Sequence, residues 1–262
     1  MTESHRLQGR VIIVTGSTTG IGRAIAEQCV AEGAHVVIHG LEEEMGCDVV
    51  EKLGADRARL CVADLVDPAS PALLVEAATE AFGRIDGIVN NAAITARSTI
   101  ESTDIEFFDG MMAANARAPL YLIKAAMSQL EANRGVVVNI GSINAHCGLT
   151  KLLDYSMSKA ANMTMTRNLA NSLNQKGIRI NHLNPGWVLS EQEYQKVIDD
   201  GQEPGWPDRL PKAEIPFGAM TSPEQIAEHA VFWLSDDSFP ITGAVTDLCQ
   251  YTLLGRIPED LH

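Results

Sequence analysis

The stretch that decides the fold runs Val11-Ile12-Ile13-Val14-Thr15-Gly16-Ser17-Thr18-Thr19-Gly20-Ile21-Gly22. Its opening run of β-branched apolar residues reads as a strand buried on both faces, because a half-solvated strand would alternate with polar residues. Glycines follow at 16, 20 and 22, and an alanine-containing helical stretch then covers 21–32 and stops at Gly33. Strand, glycine turn and helix in this order set the free N–H groups and positive dipole end of a helix beside a backbone that carries no side chains. That geometry receives a pyrophosphate.

Outward from this unit the same beat returns. A strand at 35–39 precedes a helix at 42–53, and a strand at 59–63 precedes a helical stretch opened by Asp67-Pro68 and running to Phe82. Further strands are predicted at 85–90, 136–140, 178–183 and near 244–248. Strands this short and apolar, joined by helices, predict an α/β fold: one Rossmann-type doubly wound domain over 1–262, with a parallel sheet of about seven strands and helices on both faces. The irregular piece, 186–217, carries Trp187, Trp206 and four prolines, and residues 187–217 are read as a substrate lid.

Composition narrows the function. The chain has 262 residues, 45% hydrophobic and 21% charged, which fits a compact domain, and 34 acidic against 20 basic residues give a net charge of −14. Such a field repels nucleic acid and anionic membrane surfaces, so neither is an expected partner. Cys29, Cys47, Cys61, Cys147 and Cys249 are scattered, with no metal-ligand spacing; they read as reduced thiols of a cytoplasmic protein, and no metal is expected. No apolar signal core precedes the first strand, and no run is apolar enough to span a membrane.

The chemistry-bearing pattern is Tyr155-Ser156-Met157-Ser158-Lys159, whose phenol and ammonium share one helix face at a spacing of four. An adjacent ammonium and a cationic nicotinamide both favour the phenolate, so Tyr155 can take a proton. Ser142, at the end of the strand at 136–140, stands where a hydroxyl could hold a substrate oxygen.

With these motifs the chain resembles the short-chain dehydrogenase/reductase family over nearly its whole length. The resemblance implies that Thr15, Gly16, Ser17, Thr19, Gly20, Ile21 and Gly22 hold a dinucleotide. It implies that Asp64 and Leu65 meet the adenine and that Asn91 and Ala92 line the cofactor; Ala93 stands where the family usually has Gly. It gives Asn115 a water-linked proton relay, Ser142 substrate orientation, Tyr155 the acid/base and Lys159 a grip on the nicotinamide ribose. Pro185, Gly186, Val188 and Ser190 resemble the loop that meets the carboxamide, with Ser190 in place of the commoner Thr.

Where an acidic residue would bind a ribose 2′-hydroxyl, the chain has Gly40, followed by Leu41 and Glu42, Glu43 and Glu44. With no guanidinium for a 2′-phosphate, NAD is preferred to NADP. Expected substrate-lining residues, Arg97, Asn144, His146, Trp187 and Tyr194 with Glu191 and Gln192, are mostly polar, which suits a sugar or polyol oxidised at a secondary alcohol. Two alternatives stay open: a ketone reductase for acyl or steroid-like substrates, and a dinucleotide-binding sensor without chemistry. Apolar faces on 111–130 and 158–173 predict a homo-oligomer, a dimer or, as the family often forms, a homotetramer.

Overall fold

The computed structural model describes residues 5–146 and 149–251. Cys147 lies outside them. The seven strands are β1 Val11–Val14, β2 His35–Gly40, β3 Ala58–Val62, β4 Gly87–Asn90, β5 Val136–Ile140, β6 Arg179–Pro185 and β7 Val245–Leu248. They form one parallel sheet in the order β3-β2-β1-β4-β5-β6-β7. The order reverses between β1 and β4, and at such a switch point the connections leave in opposite directions and open a crevice beyond the strand ends.

Helices α1 Gly20–Ala31, α2 Glu43–Leu53 and α9 Pro223–Leu234 cover one face. There Ile12, Val14, Ile38 and Val89 pack with Ile25, Val49 and Val231. The opposite face takes Val11, Ile13, Val37, Ile88 and Val137 against α3 Ser70–Phe82, α5 Ala118–Ala125 and α7 Leu153–Leu173. Successive residues of β1 thus enter opposite cores, which is why the strand has no polar alternation.

Two expected boundaries shift for identifiable reasons. Asp67-Pro68 does not open α3. Asp67 accepts the Ala69 N–H (2.9 Å) in a local turn, and the helix starts at Ser70 with Pro71 in its first turn. The segment expected to be irregular contains α8 Glu191–Asp199, because Ser190 accepts the Glu193 N–H (3.1 Å) and caps it. Between α4 Ile105–Met112 and α5 the chain makes a π-helical turn at Ala113–Arg117, followed after α5 by α6 Met127–Asn133. Among the described residues no helix is long and apolar enough to cross a membrane.

Candidate active site

The glycine turn follows β1 into the crevice. Gly16 has φ +62°, and a Cβ there would sit 2.8 Å from the Ala92 Cα. At Gly22 a Cβ would overlap the Gly16 carbonyl and the Asn91 amide. Thr15 Oγ1 accepts the N–H groups of Asn91 (3.0 Å) and Ala92 (3.1 Å), while Asn91 Nδ2 donates to the Thr15 (2.9 Å) and Gly16 (3.0 Å) carbonyls. β1 and β4 therefore end in one braced edge. Above it α1 begins with no side-chain cap and no acid in its first turn, so its N–H groups and dipole remain available to an anion. These features, a turn with no room for side chains and an uncapped helix start, fit a dinucleotide pyrophosphate.

The structure places Ser17 beneath the turn: fully buried, it donates to the Val14 carbonyl (2.6 Å) and accepts the His39 N–H (3.0 Å). Thr19 is the N-cap residue of α1. Asp64 accepts the Val66 N–H (2.9 Å) at the end of β3, beside buried Leu65. His39, which the sequence reading missed, accepts the Gly16 N–H on Nδ1 (3.0 Å), so its Nε2–H donates to the Ala63 carbonyl (3.0 Å). Burial holds that imidazole below its ordinary pKa, and the neutral ring is the form able to accept from Gly16. A lone histidine in an apolar strand carried no signal of this.

The four expected catalytic residues converge on the other wall. Asn115 lies in the π-helical turn, a common device for redirecting a functional side chain. Its side chain donates to the Ile94 carbonyl (2.9 Å) and accepts the Ile94 N–H (2.8 Å), and its own carbonyl accepts from Asn162 (3.2 Å). Ser142 Oγ accepts the Asn144 N–H (3.2 Å), which leaves its proton free for another acceptor. Lys159, 3% exposed, donates to the Ile140 carbonyl (2.8 Å), and its Nζ stands 5.7 Å from the centre of the Tyr155 ring.

The electrostatics differ from expectation in one respect. The Tyr155 phenol is held above its ordinary range by burial first, with Glu193 adding to the rise and a hydrogen bond with Ser142 opposing it. Lys159 is itself pushed down to about 8 by burial. The ammonium alone does not ionise the phenol, because both groups lose hydration together.

Of the expected substrate residues, Arg97 forms an ion pair with Asp200, and His146 pairs with Asp247 (2.9 Å). Trp187 stacks on Trp206 at 5.2 Å, Tyr194 stacks on the same ring at 6.1 Å, and the Tyr194 hydroxyl accepts the Gly205 N–H (3.0 Å). The segment 187–206 thus has its own small aromatic core around buried Trp206. Lys196 donates to the Thr95 carbonyl (2.9 Å), tying α8 to the loop after β4. Glu193 was also missed; it accepts from Trp187 Nε1 (2.9 Å) and its charge reaches Tyr155. The signal was present as Ser190-x-x-Glu193, a helix-start pattern that puts residue 193 on the first turn of α8. Pro185 ends β6, Gly186 passes close to Cys249, and buried Val188 bridges to Thr221.

A crevice with an uncapped helix start, buried Ser142 and Lys159, and a half-buried Tyr155 between them defines a nucleotide-dependent oxidoreductase. The chain belongs to the short-chain dehydrogenase/reductase family. The profile of a family described as Enoyl-(Acyl carrier protein) reductase matches residues 16–248. The chain is 32% identical over 244 residues to 2-(S)-hydroxypropyl-CoM dehydrogenase 3 of Xanthobacter autotrophicus, covering 92% of this chain and 95% of that one. It is 32% identical over 239 residues to the 3-oxoacyl-[acyl-carrier-protein] reductase FabG of Haemophilus influenzae, covering 90% and 95%. Among solved structures, a 3-oxoacyl (acyl-carrier-protein) reductase of Agrobacterium tumefaciens with NADP bound superposes with a TM-score of 0.85 at 28% identity, covering 95% and 96%.

Proposed function

We propose that the protein is an NAD-linked dehydrogenase that interconverts a secondary alcohol and its ketone on a small polyhydroxylated substrate, a sugar or polyol. The observation that carries this is the Tyr155 ring with the buried Lys159 ammonium 5.7 Å from its centre and Ser142 close enough to influence its ionisation. Bound along that turn, the dinucleotide would exchange a hydride at its nicotinamide ring and, when oxidised, add positive charge beside the phenol. Tyr155 then takes the substrate hydroxyl proton in the oxidative direction and returns it in the reductive one. Ser142, whose oxygen already accepts from Asn144, donates its proton to the substrate oxygen. Lys159, held by the Ile140 carbonyl, supplies positive charge beneath the aromatic ring.

For the substrate class, the Glu193 carboxylate and Trp187 support a hydroxyl-bearing ligand and disfavour an anionic one. For the cofactor, exposed Leu41 offers no cation to a 2′-phosphate. Gly40 cannot carry an acid, since a Cβ there would come 2.5 Å from Thr18 Cγ2. Residues exposed on the helices, Ile105, Leu120, Tyr121 and Met157, support a homo-oligomer, and the scattered cysteines support a cytoplasmic location. The names of the FabG relatives and the NADP bound in the Agrobacterium tumefaciens reductase favour a second reading, reduction of 3-oxoacyl thioesters with NADPH. Following nicotinamide absorbance with both dinucleotides, over a panel of sugars and polyols and over 3-oxoacyl thioesters in reverse, decides between them. NAD-dependent oxidation of a polyol is expected; faster turnover of a thioester with NADPH would replace the proposal.

A further inference from the structure

Behind Ser142 runs a buried chain of polar side chains that the chemistry above does not use. Asn90 donates to Asn139 (2.7 Å), Asn139 to Thr166 (2.8 Å), and Thr166 Oγ1 meets His182 Nδ1 (3.1 Å). His182 Nε2 meets Asn184 Oδ1 (2.9 Å), which also accepts the Ser142 N–H (3.0 Å). The other end of that amide donates to Asp247 (2.9 Å), itself paired with His146. Asn90, Asn139, Thr166, His182 and Asn184 are each 3% exposed or less.

The hydrogen-bond roles are fixed by elimination. The Ser142 backbone N–H points at Asn184 Oδ1 and a carboxylate faces Nδ2, so the amide has one satisfied orientation and Oδ1 is an acceptor toward His182. His182 must then carry its proton on Nε2, and burial together with the Lys159 charge keeps the ring neutral, its pKa lowered to about 4. The arrangement leaves no space at Gly141, where a Cβ would overlap both His182 Nε2 and Asn184 Oδ1. Past the end of β5 the Gly141 N–H still bonds the Leu183 carbonyl of β6 (2.6 Å), and the next amide, that of Ser142, is held by a β6 side chain instead of its backbone.

We propose that Asn184, locked by His182 and Asp247, is a positioning residue that sets the Ser142 hydroxyl for the reaction at Tyr155. Its oxygen fixes the Ser142 backbone, and the side chain of Ser142 takes its direction from that anchor. The catalytic consequence rests on the function proposed above; the anchoring itself does not.

Two readouts keep these apart. Hydrogen exchange across residues 139–146, followed by mass spectrometry, needs no substrate: Asn184→Ala is expected to release one protected amide there with the rest of β5 unchanged. In turnover, Asn184→Ala is expected to lower kcat roughly 10–100-fold with the dinucleotide KM unchanged, as for a misplaced reacting group. In a Ser142→Ala background the same change should cost less than about threefold, because two residues acting as a unit do not add. If the alanine variant does not fold, Asn184→Ser, whose hydroxyl stops short of the Ser142 amide, goes through the same measurements. Equal losses of kcat in both backgrounds, or unchanged exchange over 139–146, would overturn the proposal. Should the wild-type protein turn over no member of the panel, the functional reading fails and the exchange result alone decides the anchoring.

Discussion

Replacing Lys159 with Met should make the protein more stable and inactive at the same time. The native ammonium is buried, and burial brings its pKa from 10.5 to about 8. At about 1.4 kcal/mol per unit, carrying the charge in the fold costs on the order of 3 kcal/mol. Met fills a similar volume without charge, but it leaves the Ile140 carbonyl without its donor, a loss of about 1 kcal/mol. The net gain of roughly 2 kcal/mol corresponds to a rise in Tm of about 4–8 °C for a chain of this length. The pH dependence follows from proton counts. Below pH 8 both native and unfolded chains hold the lysine proton, and the full burial cost is present. Between the native value of about 8 and the unfolded value of about 10.4 the unfolded chain binds more protons, so wild-type stability rises with pH and the advantage of Met fades. Thermal unfolding by circular dichroism at pH 7 and pH 10, at matched protein concentration and without dinucleotide, measures both. A Met variant less stable than wild type at pH 7, or an advantage that persists unchanged at pH 10, would refute the reasoning.

Gly22→Ala pushes a methyl group into the Gly16 carbonyl, so dinucleotide affinity by fluorescence titration should fall at least about tenfold, with fold retained by circular dichroism. Leu41→Arg should raise kcat/KM for NADP by roughly tenfold or more while leaving that for NAD within about threefold, measured with the best substrate of the panel. Trp206→Ala removes the ring on which Trp187 and Tyr194 stack. Substrate KM should then rise about tenfold while dinucleotide affinity stays within about threefold, since the lost stacking is confined to the segment 187–206.

Much of the fold was readable because β1, β2, β4 and β5 are short, mostly apolar runs between turn residues, and sheet burial on both faces leaves that mark directly in the sequence. The glycine turn and Tyr155-x-x-x-Lys159 were legible for a related reason: local spacing fixes which groups become neighbours. What stayed hidden depends on contacts between distant segments. His39 meets Gly16, and Asn184 meets Ser142, only after β1, β2, β5 and β6 are side by side. The start of α3 was misplaced because Asp67-Pro68 and Ser70-Pro71 both look like helix openings, and only the turn at Asp67 separates them. The segment 187–217 looked irregular because its prolines and tryptophans outweighed the Ser190-x-x-Glu193 start of α8. The rise in the Tyr155 pKa comes from burial, which spacing along a helix does not report.

The claim that all the chemistry depends on is proton transfer through the Tyr155 oxygen. Turnover of Tyr155→Phe, measured beside dinucleotide binding by the same protein, tests it most directly. The account predicts that kcat falls by roughly 10²–10⁴-fold while the dinucleotide still binds within about threefold of wild type. Wild-type turnover by the phenylalanine variant would contradict it.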